Sequence, residues 1–154
     1  GSFKQGMTNL HELGLVQLLT DEVVNKKKKF LGICLGMQLI ASKGTEPEPS
    51  DGLGWIDGQV IRFNLNAKRI PHLGWNNIKI KKGDFFENVE DPNFYFIHSY
   101  HFQVKNTEQV SSTVNYGMEI VASVTHDNIF ATQFHPEKSQ TSGLAVLSSF
   151  FELS

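Results

Sequence analysis

Residues 30–39 read FLGICLGMQL, and this stretch decides the fold prediction. Phe30–Ile33 is wholly apolar, which is typical of a short strand buried on both faces of a parallel sheet. Residues 35–43 have the pattern of a helix that stops at Gly44. The only cysteine of the chain, Cys34, therefore lies at a tight turn between a strand and a helix.

The pattern Gly-x-Cys-x-Gly around Cys34 indicates a nucleophile elbow. In such a turn the backbone passes so close that we expect a side chain at Gly32 or Gly36 to collide with it. The helix N-terminus is expected to favour the thiolate over the thiol, and the amides after the cysteine can donate to an oxyanion. The alternative is a buried structural cysteine between two helix-packing glycines.

The rest of the chain predicts one α/β domain over residues 1–154. Apolar spacing predicts an amphipathic helix from about residue 5 to residue 27, with Gly14 as a weak point. A terminal helix over residues 141–153 is expected to pack Leu144, Leu147, Phe150 and Phe151 on the sheet. Between them the chain is rich in β patterns, at residues 55–63, 75–80, 94–98, 112–115, 119–125 and 129–134, with a hairpin turn at 125–128. This order predicts a three-layer α/β/α domain with an antiparallel β extension.

Composition excludes several classes of function. The 154 residues carry a net charge of −2, with 40% hydrophobic and 19% charged residues. This balance provides no general attraction to nucleic acid or to an anionic membrane, and no apolar run is as long as a membrane span. A single cysteine cannot form an internal disulfide, so a reducing cytoplasm is the expected location.

His135 is the best candidate for the base that a cysteine nucleophile needs. It follows the apolar strand IFATQF, and active-site groups lie at strand ends in α/β sheets. Glu137 comes two residues later and can orient the imidazole. His98 and His101, three residues apart on a strand, are expected to face opposite ways, which argues against a metal pair.

Together, GICLGMQ (32–38) and QFHPEKS (133–139) resemble the class I, or triad-type, glutamine amidotransferases. The resemblance implies a flavodoxin-like fold, no cofactor and no metal. It also implies that Cys34 is the nucleophile, His135 the general base and acid, and Glu137 the orienting carboxylate.

Within this family, five further stretches are similar to the glutaminase subunits of imidazole glycerol phosphate synthase. They are GSFKQGM (1–7), GLGWIDGQVIRF (52–63), PHLGWN (71–76), FYFIHSY (94–100) and HPEKSQ (135–140). The similarity implies hydrolysis of L-glutamine to glutamate and ammonia, which the synthase uses to make imidazole glycerol phosphate and AICAR in histidine biosynthesis.

The same similarity implies a glutamine pocket. Gln38 and Glu46 are expected to hold the substrate, and the backbone of His98, Ser99 and Tyr100 to line the pocket. By their sequence context alone, Glu46 could equally be a solvated loop residue and His98 a hydrogen-bonded core histidine.

The oxyanion hole is expected to use the amide of Leu35 and that of Gly1. The family's second donor comes from a glycine-rich loop, and the opening GSF resembles the end of that loop. Gly1-Ser2 could also be a cloning remnant. We further expect that this chain lacks the family's opening strand, helix and strand, so that the fold is N-terminally truncated.

The resembled subunit forms a heterodimer with a cyclase subunit of the (β/α)₈-barrel type and passes ammonia to it. Trp75 and Lys138 match positions that face this partner. The alternatives are a core tryptophan and a solvated lysine.

Other functions remain open at the level of sequence. A paralogous glutaminase serving a surface-sugar amidotransferase would share these motifs. A non-catalytic interaction subunit and a cysteine hydrolase of another substrate are further alternatives.

Overall fold

The computed structural model describes residues 2–64 and 68–152. None of the helices in these residues is long and apolar enough to cross a membrane. The helices are α1 (Phe3–Glu12), α2 (Leu15–Leu19), α3 (Leu35–Leu39) and α4 (Gln140–Glu152). The strands are β1 (Phe30–Ile33), β2 (Lys43–Gly44), β3 (Ser50–Asp51), β4 (Gly58–Arg62), β5 (His72–Ile80), β6 (Asn93–His98), β7 (Tyr100–Val104), β8 (Val110–Asn115), β9 (Glu119–His126) and β10 (Ile129–Thr132).

The described strands form two sheets. A six-stranded sheet has the order β1-β10-β9-β8-β5-β6, and a four-stranded sheet has the order β3-β2-β4-β7. In the larger sheet only β1 and β10 pair in parallel, and the pairs β10–β9, β9–β8, β8–β5 and β5–β6 are antiparallel. The antiparallel extension is therefore the larger part of this sheet. Phe30–Ile33 forms the predicted parallel strand, but the expectation that it is buried on both faces was wrong, because β1 is at the edge of the described sheet and only Gly32 in it is buried.

Hydrophobic cores cover both faces of the six-stranded sheet. On β10, Phe130 points into one core, and its neighbours Ile129 and Ala131 point into the other, because successive strand residues face opposite sides. Helix α4 supplies Val146 and Phe150 to the first core. Helices α1 and α3 and the smaller sheet build the second core. The prediction of an α/β fold in three layers is confirmed.

The N-terminal helix is broken, whereas the sequence predicts a continuous helix over residues 5–27. Gly14 has a φ of +68°, a left-handed conformation that ends α1 and begins α2. After α2 the chain continues as a π-helical turn over Thr20–Asn25. Gly14, predicted as a weak point of one helix, therefore separates two helices.

Helix α4 lies where it is predicted, but its buried face is different. Val146 and Phe150, four residues apart, are buried, and the stripe they share also contains Gly143. Leu144 and Phe151 are 64% and 69% exposed, so the prediction that they pack on the sheet was wrong. Gly143 packs against the turn before the helix, where a Cβ would lie 1.8 Å from the carbonyl oxygen of Pro136, and this close contact sets which side of α4 faces inward.

The β-rich region confirms the predicted hairpin and adds strands that the sequence pattern does not show. His126 pairs with Ile129 across the turn Asp127–Asn128, in which Asp127 has a φ of +51°. Strand β7 was not predicted, and β5 begins at His72, three residues before the predicted start.

Candidate active site

Cys34 and His135 leave the sheet at neighbouring strand ends. Ile33, the last residue of β1, is paired with Thr132, the last residue of β10. The amide of Cys34 donates to the carbonyl of Thr132 at 2.8 Å and extends this ladder by one bond. Because the two strands are parallel, Cys34, Gln133 and His135 all emerge at the same edge of the sheet.

The turn at Cys34 has the strained geometry of a nucleophile elbow. Cys34 has φ +54° and ψ −106° and caps the N-terminus of α3. A Cβ on Gly32 would lie 2.8 Å from the carbonyl oxygen of Gly36, so the turn requires glycine at this position. The same expectation for Gly36 was wrong, because a Cβ there would meet no heavy atom of the described residues within 4 Å.

Helix α3 is also shorter than the predicted 35–43. It ends at Leu39, and Lys43–Gly44 forms strand β2 of the smaller sheet. Met37 and Gln38 donate their amides to the carbonyl of Cys34, at 3.1 and 3.2 Å. The helix therefore contributes little more than one turn beyond the nucleophile.

The sulfur of Cys34 lies among hydrogen-bonding groups. Its S–H donates to the carbonyl of Ile97 at a Sγ–O distance of 3.8 Å, and Gln133 Nε2 donates to Sγ at 3.6 Å. Burial raises the pKa of the Cys34 thiol, the Glu137 carboxylate raises it further, and hydrogen bonds from the Leu35 amide and Gln133 lower it. The amide at the helix N-terminus lowers the pKa of Cys34, in the predicted direction, but desolvation is the larger cause and the net shift is upward.

His135 is held by Glu137 and by the backbone. His135 Nδ1 lies 2.8 Å from Glu137 Oε2, and the exposed fractions of the two side chains are 16% and 45%. The His135 amide donates to the Tyr95 carbonyl at 2.9 Å. The carboxylate can only accept, so Nδ1 carries the hydrogen and Nε2 is free to take a proton. Within the described residues Cys34 Sγ makes hydrogen bonds with Ile97 and Gln133, and none with His135.

Gln38 lies one helical turn after Cys34 and is almost completely buried. Its Nε2 donates to the Tyr100 carbonyl at 3.3 Å and to Gln133 Oε1 at 3.0 Å. No hydrogen bond to Gln38 Oε1 is present in the described part of the chain. Of the two ends of this amide, the oxygen is the one available to a substrate, and the predicted contact with glutamine stays a prediction.

Glu46 lies at the N-terminus of α1. Its Oε1 accepts a hydrogen bond from the Phe3 amide at 3.2 Å, and its backbone carbonyl accepts one from the Lys4 amide at 3.0 Å. The residue is half-buried. This held carboxylate is not a freely solvated loop residue, and its predicted role with the α-ammonium of glutamine is untested.

The segment 98–100 is tied to the interior. His98 donates from Nδ1 to the Tyr100 carbonyl at 2.8 Å, and its Nε2 lies 3.0 Å from Nδ1 of His72. The Ser99 carbonyl accepts the Phe63 amide at 3.1 Å. Burial lowers the pKa of His98 to about 3 and that of His72 to about 4. The His98 side chain is a neutral, hydrogen-bonded core histidine.

His98 and His101 both pack on the ring of Phe63, with ring centroids 5.1 and 5.3 Å away. The prediction that they face opposite ways was wrong, because β6 ends at His98 and β7 begins at Tyr100 in the other sheet. In residues 2–64 and 68–152 no group of three or more His, Cys, Asp or Glu residues could hold a metal ion.

Trp75 is not a core tryptophan. It is 46% exposed and makes an edge contact with Tyr95, its partner across the β5–β6 pair, at 6.0 Å between rings. Leu73 and its cross-strand partner Ile97 are exposed on the same face. These four residues form an apolar strip on the outer face of the β5–β6 hairpin. Lys138 is exposed.

The remaining predicted residues concern the oxyanion hole. The Leu35 amide donates toward the sulfur of Cys34. Gly1, predicted as the second donor, lies outside the described residues.

Two buried residues of the site, Gln133 and His72, were not predicted. Gln133 stands directly before Phe134 and His135, and its position beside the thiol depends on the pairing of β1 with β10. The pairing of two distant strands leaves no local pattern. The available signal was the long polar side chain of Gln133, next to Thr132, within the mostly apolar strand run IFATQF.

The sequence profile of the class-I glutamine amidotransferases matches residues 5–153. This chain belongs to the class-I glutamine amidotransferase family. It is 48% identical over 157 residues to the imidazole glycerol phosphate synthase subunit HisH 1 of Campylobacter jejuni (strain RM1221), covering 99% of this chain and 77% of that protein. It is 41% identical over 159 residues to subunit HisH of Leptospira borgpetersenii, covering 99% and 78%.

Solved structures of amidotransferases share the fold. A crystal structure of a glutamine amidotransferase aligns with a TM-score of 0.67 and 18% identity, covering 92% of this chain and 71% of that one. A glutamine amidotransferase from Thermotoga maritima aligns with a TM-score of 0.59 and 19% identity, covering 89% of this chain and 52% of that one. The α/β architecture of this amidotransferase is thus that of its family.

Proposed function

We propose that this chain is the glutaminase subunit of an imidazole glycerol phosphate synthase, folded as a single domain. It hydrolyses L-glutamine to glutamate and ammonia. The observation that carries the proposal is the emergence of Cys34, on its strained turn, beside the hydrogen-bonded pair His135–Glu137 at one sheet edge. The similarity to HisH subunits supports the particular synthase.

The first half of the reaction forms a thioester. His135 Nε2 takes the proton of the Cys34 thiol, and the thiolate attacks the carboxamide carbon of glutamine. The carbon–nitrogen bond breaks as His135 returns the proton to the leaving nitrogen, so that ammonia departs and γ-glutamyl-Cys34 remains. Glu137 stabilises the imidazolium that exists between these two transfers.

The second half releases glutamate. His135 takes a proton from a water molecule, and the resulting hydroxide attacks the thioester carbonyl. The carbon–sulfur bond breaks, Cys34 leaves as a thiolate and recovers the proton from His135. No cofactor takes part in these reaction steps.

The oxyanion of each tetrahedral intermediate needs amide donors. The Leu35 amide, at the start of α3, donates toward the position of the reacting sulfur and is the first donor. The Gly1 amide is proposed as the second. Gln38 Oε1 and the Glu46 carboxylate are proposed to accept hydrogen bonds from the substrate, with Glu46 at its α-ammonium.

The partner is proposed to be a (β/α)₈-barrel cyclase subunit in a heterodimer that works in the cytoplasm. Free ammonia is mostly protonated at neutral pH and is then a poor nucleophile, so direct transfer to an acceptor site favours a docked complex. The strip Leu73, Trp75, Tyr95 and Ile97 is an apolar surface of the kind that interfaces bury, and Lys138 is exposed on the turn after His135. Ile97 belongs to this strip and also contacts the thiol through its carbonyl.

The experiment is a glutaminase assay of the full chain, alone and with a cyclase subunit and its nucleotide ligand. We expect glutamate release that rises with the cyclase and disappears in Cys34→Ala. A glutamine-analogue diazoketone should add one label to the wild-type chain and none to the variant. Absence of turnover and of labelling under every condition would support a non-catalytic subunit and contradict the proposal.

A further inference from the structure

Gln133 is a completely buried side chain that takes no part in the chemistry described above. It directly follows the last residue of β10 and lies opposite Cys34. Its amide joins two groups: Oε1 accepts from Gln38 Nε2 at 3.0 Å, and Nε2 donates to Cys34 Sγ at 3.6 Å. The effect of this amide on the sulfur depends on which of its ends, Oε1 or Nε2, faces Sγ.

The chain of hydrogen bonds determines the orientation of both amides. The Tyr100 carbonyl can only accept, so the end of Gln38 that faces it must be Nε2. The same Nε2 supplies its second hydrogen to Gln133, and the end of Gln133 that receives it must be Oε1. The other end of Gln133, which faces Sγ, is then the NH₂ group.

The Tyr100 carbonyl that starts this chain is itself held. Its second hydrogen bond comes from Nδ1 of His98 at 2.8 Å. Nε2 of His98 then accepts from Nδ1–H of His72, and His72 Nε2 accepts from the Asn76 amide at 3.3 Å. With both imidazoles neutral, each ring nitrogen of His98 and His72 has a hydrogen-bond partner, and this network holds the Tyr100 carbonyl in place.

We propose that Gln133 is a positioning residue of the glutaminase reaction, holding an N–H donor on Cys34 Sγ so that the thiolate forms and stays directed at the substrate. This inference rests on the proposed function of Cys34. A thiol at this position can satisfy both neighbours, donating to Ile97 and accepting from Gln133. A thiolate has lost its hydrogen and can only accept, so it gains from Gln133 and from the Leu35 amide and is repelled by the Ile97 carbonyl. Gln133 therefore favours the reactive form.

The direction of the Cys34 pKa agrees with this assignment. Burial and the Glu137 carboxylate raise it, and the hydrogen bonds from Leu35 and Gln133 oppose them. Removal of the Gln133 donor should raise the pKa of Cys34 further. His135 and Glu137, the titratable groups of the adjoining turn, are unchanged in the variants below.

The test measures the thiolate directly. Cys34 is the only cysteine, so the rate of alkylation of the full chain by iodoacetamide, followed against pH, reports this one thiol. We compare wild type with Gln133→Met, which keeps the length of the side chain and removes the donor. The matched control is Thr132→Val, which removes the neighbouring buried hydrogen bond from Thr132 Oγ1 to the Phe134 carbonyl without touching Sγ.

We expect Gln133→Met to alkylate roughly tenfold more slowly at neutral pH and to shift the profile to higher pH, because a hydrogen bond to a charged acceptor is lost. Thr132→Val should keep the wild-type profile. In the glutaminase assay, Gln133→Met should lower kcat with little change in KM. Gln133→Asn retracts the amide from Sγ, and Gln38→Met frees it to rotate, so these variants should shift the profile in the same direction if Gln133→Met does not fold.

A profile of folded Gln133→Met that superimposes on wild type would overturn the proposal. So would equal shifts in Gln133→Met and Thr132→Val, which would indicate a general loss of packing. The alkylation assay needs neither glutamine nor a partner. A wild-type chain without glutaminase activity but with the expected alkylation shift would therefore contradict the proposed function and leave the hydrogen bond to the thiolate standing.

Discussion

A Cβ on Gly32 would lie 2.8 Å from the carbonyl oxygen of Gly36, whereas a Cβ on Gly36 would meet no heavy atom of the described residues within 4 Å. The two glycines that flank Cys34 in the sequence are thus unequal in the fold. Gly32, the third residue of β1, lies against the first turn of α3, so its missing side chain sets how closely the helix approaches the strand. Gly36 is a helical residue with open space beside it.

Alanine at these two positions should change stability in opposite directions. Gly32→Ala should lower the free energy of unfolding by about 1–3 kcal/mol, since the methyl group forces backbone apart. Gly36→Ala should raise it by about 0.5–1 kcal/mol, because alanine is the better helix former. Urea unfolding of the two variants and of wild type measures both changes in the free energy of unfolding. Equal destabilisation would show that the elbow is packed on both sides.

Glu137→Gln should separate thiol reactivity from turnover. The carboxylate raises the pKa of Cys34, after burial as the larger cause, so its neutralisation should speed alkylation of the thiol. The same change weakens the hydrogen bond that holds His135 Nδ1 and removes the charge that stabilises the imidazolium, so kcat should fall by roughly 10- to 100-fold. Iodoacetamide rates and glutaminase rates on one preparation give the two readouts.

Lys138→Gln is a suitable control for Glu137→Gln, since it changes an exposed charge on the same turn. Its isolated chain should keep wild-type alkylation. If both rates of Glu137→Gln moved in the same direction, the carboxylate would not have the orienting role assigned here.

Stability should fall on mild acidification because of the buried histidine pair. Burial lowers the pKa of His98 to about 3 and that of His72 to about 4, from an ordinary value of 6.5. Below about pH 6.5 the unfolded chain binds protons that the folded chain does not, so the free energy of unfolding decreases as pH falls toward these values. Each pKa unit corresponds to roughly 1.4 kcal/mol.

Urea midpoints at pH 7, 6 and 5 test this dependence. His98→Gln should start from a lower stability at pH 7, because the hydrogen bond to His72 is changed, and should then lose less on going to pH 5. His126→Gln, at an exposed hairpin end, controls for removal of one histidine. If the urea midpoints of wild type and His98→Gln fell by the same amount between pH 7 and pH 5, a neutral, buried His98 would be contradicted.

The apolar strip of the β5–β6 hairpin should determine binding to a cyclase subunit. Trp75→Ala should weaken association by about 2 kcal/mol or more, roughly 30-fold in Kd, as is typical of a central aromatic residue at an interface. Thermal unfolding of the isolated chain should change little, because the side chain is half exposed. Isothermal titration with the cyclase measures the affinity.

Leu144→Ser is the matched control for Trp75→Ala, since Leu144 is a comparably exposed apolar residue on α4. An equal loss of affinity in both variants would place the docking surface elsewhere. Unchanged binding of Trp75→Ala would remove the strip from the proposed interface.

Local chemistry explains what could be predicted. The strand Phe30–Ile33, the turn at Cys34 and the hairpin at Asp127–Asn128 depend on apolar runs and turn residues a few positions apart, and these were predicted correctly. His135 and Glu137 lie two residues apart, so their contact also follows from sequence distance. The wrong predictions concern which face of a helix is buried and where a helix ends. Helix α4 buries Val146 and not Leu144, and α3 ends at Leu39. Packing against distant elements decides both.

The proposed reactive set follows from sequence alone, since the residue types Cys34, His135 and Glu137 and the glycine before the cysteine suit the chemistry and the backbone sterics within a few residues. The groups that surround these three residues depend on the folded chain. The parallel pairing of β1 with β10 puts Gln133 beside the thiol, and the antiparallel pairing of β5 with β6 places His98 directly opposite His72. These contacts join residues 26 to 99 positions apart, and their free energy comes from hydrogen bonds made in a buried site, which no short stretch of the chain encodes.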